Sequence, residues 1–459
     1  MAVAALAAAA AAMSCQGGPA DHRAGITGRW EGTASLHGAR GPLTVDITPD
    51  GDSLRAGVTM NVEALYYNRP LVKVSYDSPR VHFEFPARNE DNGVFDGVLA
   101  GDTIAGATRK SGRSVAMRFV RERRTVPPEP YSRETIRFRA ADGVMLEGML
   151  LAPAGAGPHP AVVFLHGSGP SDRSDFGHIA DRFVRRGIAA FAYDKRGTAR
   201  SAGDANYASY NTLASDAGSA IAAIAAKTAI IDGRRIGVCG FSEGGWVAPV
   251  VAAADSSIAF VIGVVAPGTS YADNGIYQNV KRMEAGGASA SDIARYVDLI
   301  GRVNAHVRAA RANGDSTGDG RFTSALQLAL DGTENLAWRP LVDLPRRVPA
   351  GRELSRLRWQ VLDFDPPSYW SRVRAPVLVV LGDMDRNVNS SESVVTIGEA
   401  LRRGGNDDGT FIVYPRANHN MMVLPHSVGR FHFPAPPPGY PDTLVSWVAS
   451  KVGLGARDR

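Results

Sequence analysis

Two rhythms of hydrophobic and polar positions divide the chain. From about residue 25 to 124, apolar and polar residues alternate in short runs, at 43–47, 71–76, 81–85 and 115–120. Turn clusters punctuate them at near-regular spacing: Pro49-Asp50-Gly51-Asp52, Asp77-Ser78-Pro79 and Ala100-Gly101-Asp102. A period of two gives each strand one buried and one wet face, and tight turns join strands that are neighbours in sequence. The stretch therefore predicts an all-β antiparallel barrel or sandwich of roughly eight strands. Trp30 and the Tyr66-Tyr67 pair are expected in its core or rim, and the isolated His37 and His82 carry no catalytic pattern.

From residue 133 the rhythm changes. A hairpin over 134–151 turns at Asp142-Gly143, and near-continuous apolar runs follow at 161–165, 189–193, 236–239, 259–265, 377–381 and 411–414. Helical stretches at 176–186, 213–226 and 246–254 lie between them. Strands that are apolar throughout are covered on both faces, which predicts a mostly parallel, doubly wound α/β sheet. Roughly 110 residues separate the runs at 259–265 and 377–381, far more than a strand-to-strand crossover needs. Helical periodicity at 296–300 and 325–330 makes this segment a helical cap over about 270–370, with a flexible break at 313–320. Between the two rhythms, the charged and proline-rich run from Arg121 to Pro130, with Pro127, Pro128 and Pro130, marks a domain boundary, and 125–132 reads as the linker. The expected plan is a leader at 1–20, an all-β domain at 21–124, the linker, and an α/β domain at 133–459.

Composition narrows the function. The 51 basic and 46 acidic residues leave a net charge of +5, not gathered into a run, so the surface is a solvated one and not a nucleic-acid footprint. Two cysteines make neither a disulfide framework nor a Cys-based zinc site. Residues 1–13 are almost all alanine, too short to span a bilayer and suited to the apolar region of an export signal. Ala12-Met13-Ser14-Cys15 loosely resembles a lipoprotein cleavage box. The expectation is an exported protein, periplasmic or tethered to a membrane through a lipidated Cys15, with a cytoplasmic enzyme bearing an alanine-rich leader as the alternative.

The candidate chemistry centres on Gly240-Phe241-Ser242-Glu243-Gly244, a G-x-S-x-G pattern between the apolar run at 236–239 and a helix. A serine at the apex of a sharp strand-to-helix turn has a strained backbone, and its neighbours two residues away on either side must be tiny. The turn projects the hydroxyl above the sheet, beside a helix amino terminus that favours developing negative charge. His166-Gly167-Ser168-Gly169-Pro170 follows the strand at 161–165, and a glycine-rich turn there exposes backbone N–H groups. The amide of Ser168, or that of Gly167, together with that of Glu243, is placed to hold an oxyanion; the spacing is not that of a phosphate loop. Asp385, in the loop beyond the strand at 377–381, is the candidate to orient an imidazolium, with Asp383 capping the turn. His419, beyond the strand at 411–414, is the candidate general base, ahead of His426 and His432.

Ser242, Asp385 and His419 stand in the chain order nucleophile, acid, base. With His166 to Pro170, the Tyr193-Asp194-Lys195-Arg196-Gly197 segment and Gly240 to Gly245, the chain from about residue 133 onward resembles the α/β-hydrolase superfamily. It is similar in particular to a bacterial esterase and serine-aminopeptidase-like branch, some of whose members carry a β-rich amino-terminal domain. The resemblance covers roughly two thirds of the chain and implies a Ser242–Asp385–His419 triad, hydrolysis through an acyl-enzyme, and no metal or organic cofactor. The sequence departs from the pattern at Ala199, where glycine is frequent. It departs again at Glu243, whose carboxylate either repels anionic substrates, binds an amine, or is turned into structure. The expected activity is cleavage of a small ester or short acyl substrate. The alternatives are a serine aminopeptidase or small-peptide hydrolase, and a catalytically silent protein whose β domain holds an apolar ligand.

Overall fold

The computed structural model describes residues 25–36, 39–60, 66–85, 93–110, 113–122, 131–312, 320–423 and 436–455. The alanine-rich leader with Cys15, His37, residues 125–130 of the linker, the break at 313–319, and both His426 and His432 lie outside the described residues. The chain forms two compact units, one from amino-terminal strands and one containing everything from Arg124 onward.

Among the described residues the amino-terminal sheet has nine strands, one more than the turn spacing suggested: β1 (Gly28–Leu36), β2 (Ala39–Asp50), β3 (Ser53–Met60), β4 (Tyr66–Pro70), β5 (Lys73–Asp77), β6 (Arg80–Glu84), β7 (Val94–Ala100), β8 (Thr103–Lys110) and β9 (Arg113–Arg121). Their order is β4-β3-β2-β1-β9-β8-β7-β6-β5. The two end strands are joined by Leu71 and Val72 alone, which curls the sheet into a nearly closed barrel and shelters its edges. Period-two alternation sends Val45, Ile47, Phe83, Phe95, Ile104 and Phe119 inward, all essentially inaccessible to water. Phe95 stacks on Phe83 with ring centroids 5.4 Å apart and meets Phe119 edge-on at 5.3 Å. Trp30 is core rather than rim, its indole N–H donating to the Ile26 carbonyl and the Arg121 guanidinium lying over its ring.

The second unit is built on an eight-stranded mixed sheet: β10 (Tyr131–Arg139), β11 (Met145–Pro153), β12 (His159–Leu165), β13 (Ala189–Tyr193), β14 (Ile231–Phe241), β15 (Val261–Val264), β16 (Val377–Gly382) and β17 (Gly409–Tyr414). Their order is β10-β11-β13-β12-β14-β15-β16-β17. The β10–β11 and β11–β13 pairs are antiparallel, and every pair from β13 through β12 to β17 is parallel. The helices are α1 (Gly177–Arg185), α2 (Tyr210–Ala225), α3 (Glu243–Ala254), α4 (Tyr271–Ala285), α5 (Ala290–Ala312), α6 (Gly320–Asp331), α7 (Leu357–Gln360), α8 (Pro366–Trp370), α9 (Ser390–Arg403) and α10 (Tyr440–Lys451).

Helices on both faces explain the continuous apolar runs. Along β12, Ala161, Val163 and Leu165 pack with residues of α2, α3 and α9, while Val162 and Phe164 pack with α1 and α10 on the opposite face. The same division holds in β16, where Val377, Val379 and Leu381 face one layer and Leu378 and Val380 the other. Each valine, leucine or phenylalanine so buried contributes about 1.5–3 kcal/mol through removal of apolar surface from water.

The segment between β15 and β16 is helical and has a core of its own. Tyr296, Leu299, Ile300, Val303 and Val307 recur at helical spacing on α5 and bury against Leu326, Leu330, Trp338 and Trp359. The parallel strands all run so that their carboxyl ends, and the loops after them, gather at one rim of the sheet.

Two imidazoles near that rim are held neutral by burial. His166 is pushed down from its ordinary range, and His178 on α1 is pushed down to about 4. The unfolded chain binds protons at both sites below about pH 6.5 while the folded chain refuses them, so stability falls as pH drops from about 6.5 towards 4. The melting temperature is expected to fall between pH 7 and pH 5, and His178→Leu is expected to flatten that slope; calorimetric scans of both proteins across the interval check this.

Candidate active site

The site is built where β12, β14, β16 and β17 end. β14 stops at Phe241 and α3 begins at Glu243, leaving Ser242 as the single residue of the turn, with φ 53° and ψ −111°. The helix starts three residues earlier than its apolar stretch suggested, directly behind the serine. That backbone conformation is strained for a residue with a Cβ, by about 1–3 kcal/mol, and neighbouring contacts hold it. The Ser242 amide donates to the Val264 carbonyl of β15 at 3.0 Å, and the Gly245 amide donates to the Ser242 carbonyl at 2.8 Å.

Three glycines permit the turn. A Cβ at Gly240 would lie 2.0 Å from the Gly244 carbonyl oxygen, and one at Gly244 would lie 2.4 Å from that of Leu165. One at Gly245 would lie 2.5 Å from the Ala266 side chain, so the second glycine of the pair lets α3 press onto the end of β15. The α3 amino terminus leaves the Glu243 amide without an intrahelical acceptor and directs its dipole at the serine.

The serine, histidine and aspartate picked out by the sequence converge. His419 Nε2 lies 2.9 Å from Ser242 Oγ, and His419 Nδ1 lies 2.8 Å from Asp385 Oδ2. The Asp385 side chain is fully buried, while His419 keeps 19% of its side-chain surface exposed. The remaining Asp385 oxygen accepts from the amides of Asn387 at 2.7 Å and Val388 at 2.9 Å. These bonds fix the direction of the carboxylate, and the geometry suits the imidazole tautomer with Nδ1–H toward Asp385 and the Nε2 lone pair toward the serine.

The loops that carry Asp385 and His419 are sewn to each other. Met384 N donates to the Ala417 carbonyl at 3.0 Å, and Asp383 N to the Tyr414 carbonyl at 3.1 Å. Asp383 is a staple between the loops: its carboxylate accepts from the Arg416 amide. Gly382 is required because a Cβ there would meet the Ala417 carbonyl oxygen at 2.2 Å. Two positioning residues carried no sequence signal. The Asn418 side chain accepts from the amides of Asn420 and Met422, closing the turn that presents His419, and Ser390 Oγ donates to the Gly382 carbonyl. Tyr277 of α4 donates to the Asp385 carbonyl at 3.0 Å, so the helical insertion touches the acid loop directly.

The glycine-rich turn after β12 stands beside the serine: a Cβ on Gly167 would be 3.6 Å from that of Ser242. The Glu243 side chain turns away from solvent and into structure. It is buried with Lys195, Oε1 to Nζ at 2.5 Å, and its other oxygen accepts from Ser168 Oγ at 3.3 Å. Lys195 lies in the segment from Tyr193 to Gly197, which its sequence marked as characteristic without revealing its role.

The fold and the hydrogen-bonded serine, histidine and aspartate are those of an α/β protein with a nucleophile-elbow turn. A model of the alpha/beta hydrolase family matches residues 162–431, more than half of the chain, and the protein belongs to that family. It is 21% identical over 304 residues to the esterase EstD of Thermotoga maritima, a match covering 65% of this chain and 62% of that one. The chain thus spans under two thirds of the length of this curated relative. Among solved structures, the Pyrococcus furiosus esterase Pf2001 matches with TM-score 0.43 and 15% identity, covering 73% of this chain and 96% of that one. A Mycobacterium tuberculosis puromycin-hydrolyzing peptidase matches with TM-score 0.46 and 15% identity, covering 90% of this chain and 52% of that one.

The glycine contacts make a direct prediction. Gly240→Ala and Gly244→Ala are expected to yield protein with a sharply lowered melting temperature or no soluble protein, because the added carbon meets backbone. Gly218→Ala, in α2 with nothing within 4 Å of the added carbon, is expected to hold or gain up to about 1 kcal/mol. Thermal melts of the three variants test the contrast.

Proposed function

We propose that this protein is a serine hydrolase that cleaves small carboxylic esters through an acyl-enzyme on Ser242. The observation that carries the reading is the unbroken chain of hydrogen bonds Ser242–His419–Asp385, at 2.9 and 2.8 Å, on a strained elbow at a helix amino terminus. In the proposed mechanism His419 Nε2 takes the hydroxyl proton as Ser242 Oγ attacks the ester carbonyl. The tetrahedral oxyanion accepts from the Glu243 amide and from an amide of the Gly167–Ser168 turn. Collapse of the intermediate expels the alcohol, which takes the proton from His419. Water, deprotonated by the same imidazole, then attacks the acyl-enzyme and releases the acid. Asp385 stabilises the imidazolium in both halves without itself taking the proton.

The ester reading is favoured over an aminopeptidase by the fate of Glu243. The Glu243 carboxylate, the acidic group next to the serine in sequence, is paired with Lys195 and so is not offered to a substrate ammonium. A silent ligand-binding protein is disfavoured because Ser242, His419 and Asp385 form one continuous hydrogen-bonded chain, which ligand binding in the β unit does not call for. The helical insertion, which reaches the acid loop through Tyr277, acts in this reading as the cap that selects the substrate.

Ser242→Ala and His419→Ala are each expected to lower turnover of a short p-nitrophenyl ester by at least about a thousandfold with unchanged melting temperature. A fluorophosphonate is expected to leave a single adduct on Ser242, read by mass spectrometry of the modified peptide. Absence of any adduct in folded wild-type protein, or full activity in His419→Ala, sinks the reading.

A further inference from the structure

The segment Asp194-Lys195-Arg196 places three consecutive charged side chains in the interior beside the elbow, and each is paired with a different element. Asp194 forms a double contact with Arg173, at 2.8 and 2.6 Å, in the turn that leads into α1. Arg196 forms a double contact with Asp216 of α2, at 2.7 and 2.5 Å, and reaches Asp142 in the β10–β11 turn at 2.9 Å. Lys195, between them, is 4% exposed and reaches the elbow itself, where its partner Glu243 is 2% exposed. The flanking pairs clamp the backbone, so the direction of the Lys195 side chain is set before it meets Glu243.

Lys195 has a further contact whose geometry decides its role. Its Nζ donates to the Gly167 carbonyl at 2.9 Å, with the Gly169 carbonyl at 3.5 Å. The C=O of Gly167 and the N–H of Ser168 belong to one planar trans peptide and point in opposite directions. Aiming that carbonyl at the ammonium therefore turns the Ser168 N–H away from Lys195. The same ammonium holds the side chain of Glu243, the residue that offers the other amide, and Ser168 Oγ donates to the remaining Glu243 oxygen. Both loops that offer oxyanion donors are tied to one buried ion pair.

We infer that Lys195 and Glu243 are positioning residues that aim the Ser168 and Glu243 amides at the oxyanion, so that Ser168, rather than Gly167, is the donor from the glycine-rich turn. This rests on the ester-hydrolase reading above. A buried ion pair is poor evidence for stability, since well-packed apolar residues of similar volume often replace one without loss. What apolar residues do not supply is the bond to the Gly167 carbonyl. Positioning and stability are therefore separable by substitution.

The experiment compares wild type with Lys195→Met/Glu243→Met, an apolar pair of similar volume, and with Glu243→Gln, which keeps an acceptor for Lys195. Steady-state hydrolysis of a short p-nitrophenyl ester is measured alongside thermal melts. The apolar pair is expected to lose about 10²–10³-fold in kcat, the cost of a misdirected oxyanion donor, with KM within about threefold. Glu243→Gln is expected to lose less kcat than the apolar pair, because Lys195 keeps an acceptor and its bond to the Gly167 carbonyl survives, while the new amide N–H donates to Ser168 Oγ where the carboxylate accepted from it. If the apolar pair does not fold, Lys195→Gln, neutral and shorter, carries the same expectation of lowered kcat at unchanged KM. An apolar pair or Lys195→Gln variant with wild-type kcat overturns the inference, as does a Glu243→Gln variant impaired as deeply as the apolar pair. A wild-type protein that neither turns over ester nor takes a fluorophosphonate overturns the functional reading instead, so the two failures are distinguishable.

Discussion

The backbone of Ser242, at φ 53° and ψ −111°, is the constraint on which the second unit depends. A residue with a Cβ does not rest there unaided. It is held by the amide bond to Val264 on the neighbouring strand, by the first turn of α3, and by glycines that let three stretches of backbone approach within contact distance. Gly240 faces the Gly244 carbonyl, Gly244 faces the Leu165 carbonyl at the end of β12, and Gly245 faces Ala266 beyond β15. The elbow is thus where two adjacent strands and one helix converge, and the parallel order of the sheet follows from the need to end those strands at one rim. That turn brings the Ser242 hydroxyl to 2.9 Å from His419 Nε2.

A second constraint is electrostatic. Charged side chains are costly to bury, and a protein tolerates them where each finds a partner with good geometry. Here Glu147, Arg173 and Asp194 form one such group and Asp142, Arg196 and Asp216 another, with the Lys195–Glu243 pair between them. Their effect is to fasten the loop after β13 to the β10–β11 turn, to α2 and to the elbow at once. On the other side of the serine the fastening is done by main-chain contacts between the loops of Asp385 and His419, with Asp383 and Asn418 closing the turns. The serine sits between these ion pairs and the laced pair of loops, 2.9 Å from His419 Nε2.

Much of this was legible from the chain alone, because the relevant signals are local. Alternation at 81–85 and 115–120 means one wet face in any fold, and unbroken apolar runs at 161–165 and 377–381 mean burial on both sides. A serine between glycines after an apolar strand admits few conformations, and an aspartate and a histidine just beyond later strands are the partners topology brings to the same rim. The ninth strand was not legible. A two-residue connection at Leu71 and Val72 joins two short strands that a turn count merges into one. The early start of α3 was also hidden, since glycines at 244 and 245 lower helix propensity and only packing against Leu165 and Ala266 makes that first turn helical.

The division between what sequence and tertiary structure decide falls along contact range. Strand and helix identity, the two-part layout, and the chemical types and order of Ser242, Asp385 and His419 follow from periodicity and spacing, which any chain segment expresses by itself. The partners of side chains follow only from the fold, since they join residues far apart in the sequence. Glu243 could repel an anion, bind an amine or serve structure until Lys195, 48 residues away, was found against it. Asp383 and Asp385 are chemically alike and two residues apart, yet one faces the Arg416 amide and the other the His419 ring, because the loop beyond β16 turns sharply between them. Sequence supplies the groups; only the folded backbone decides which of them meet.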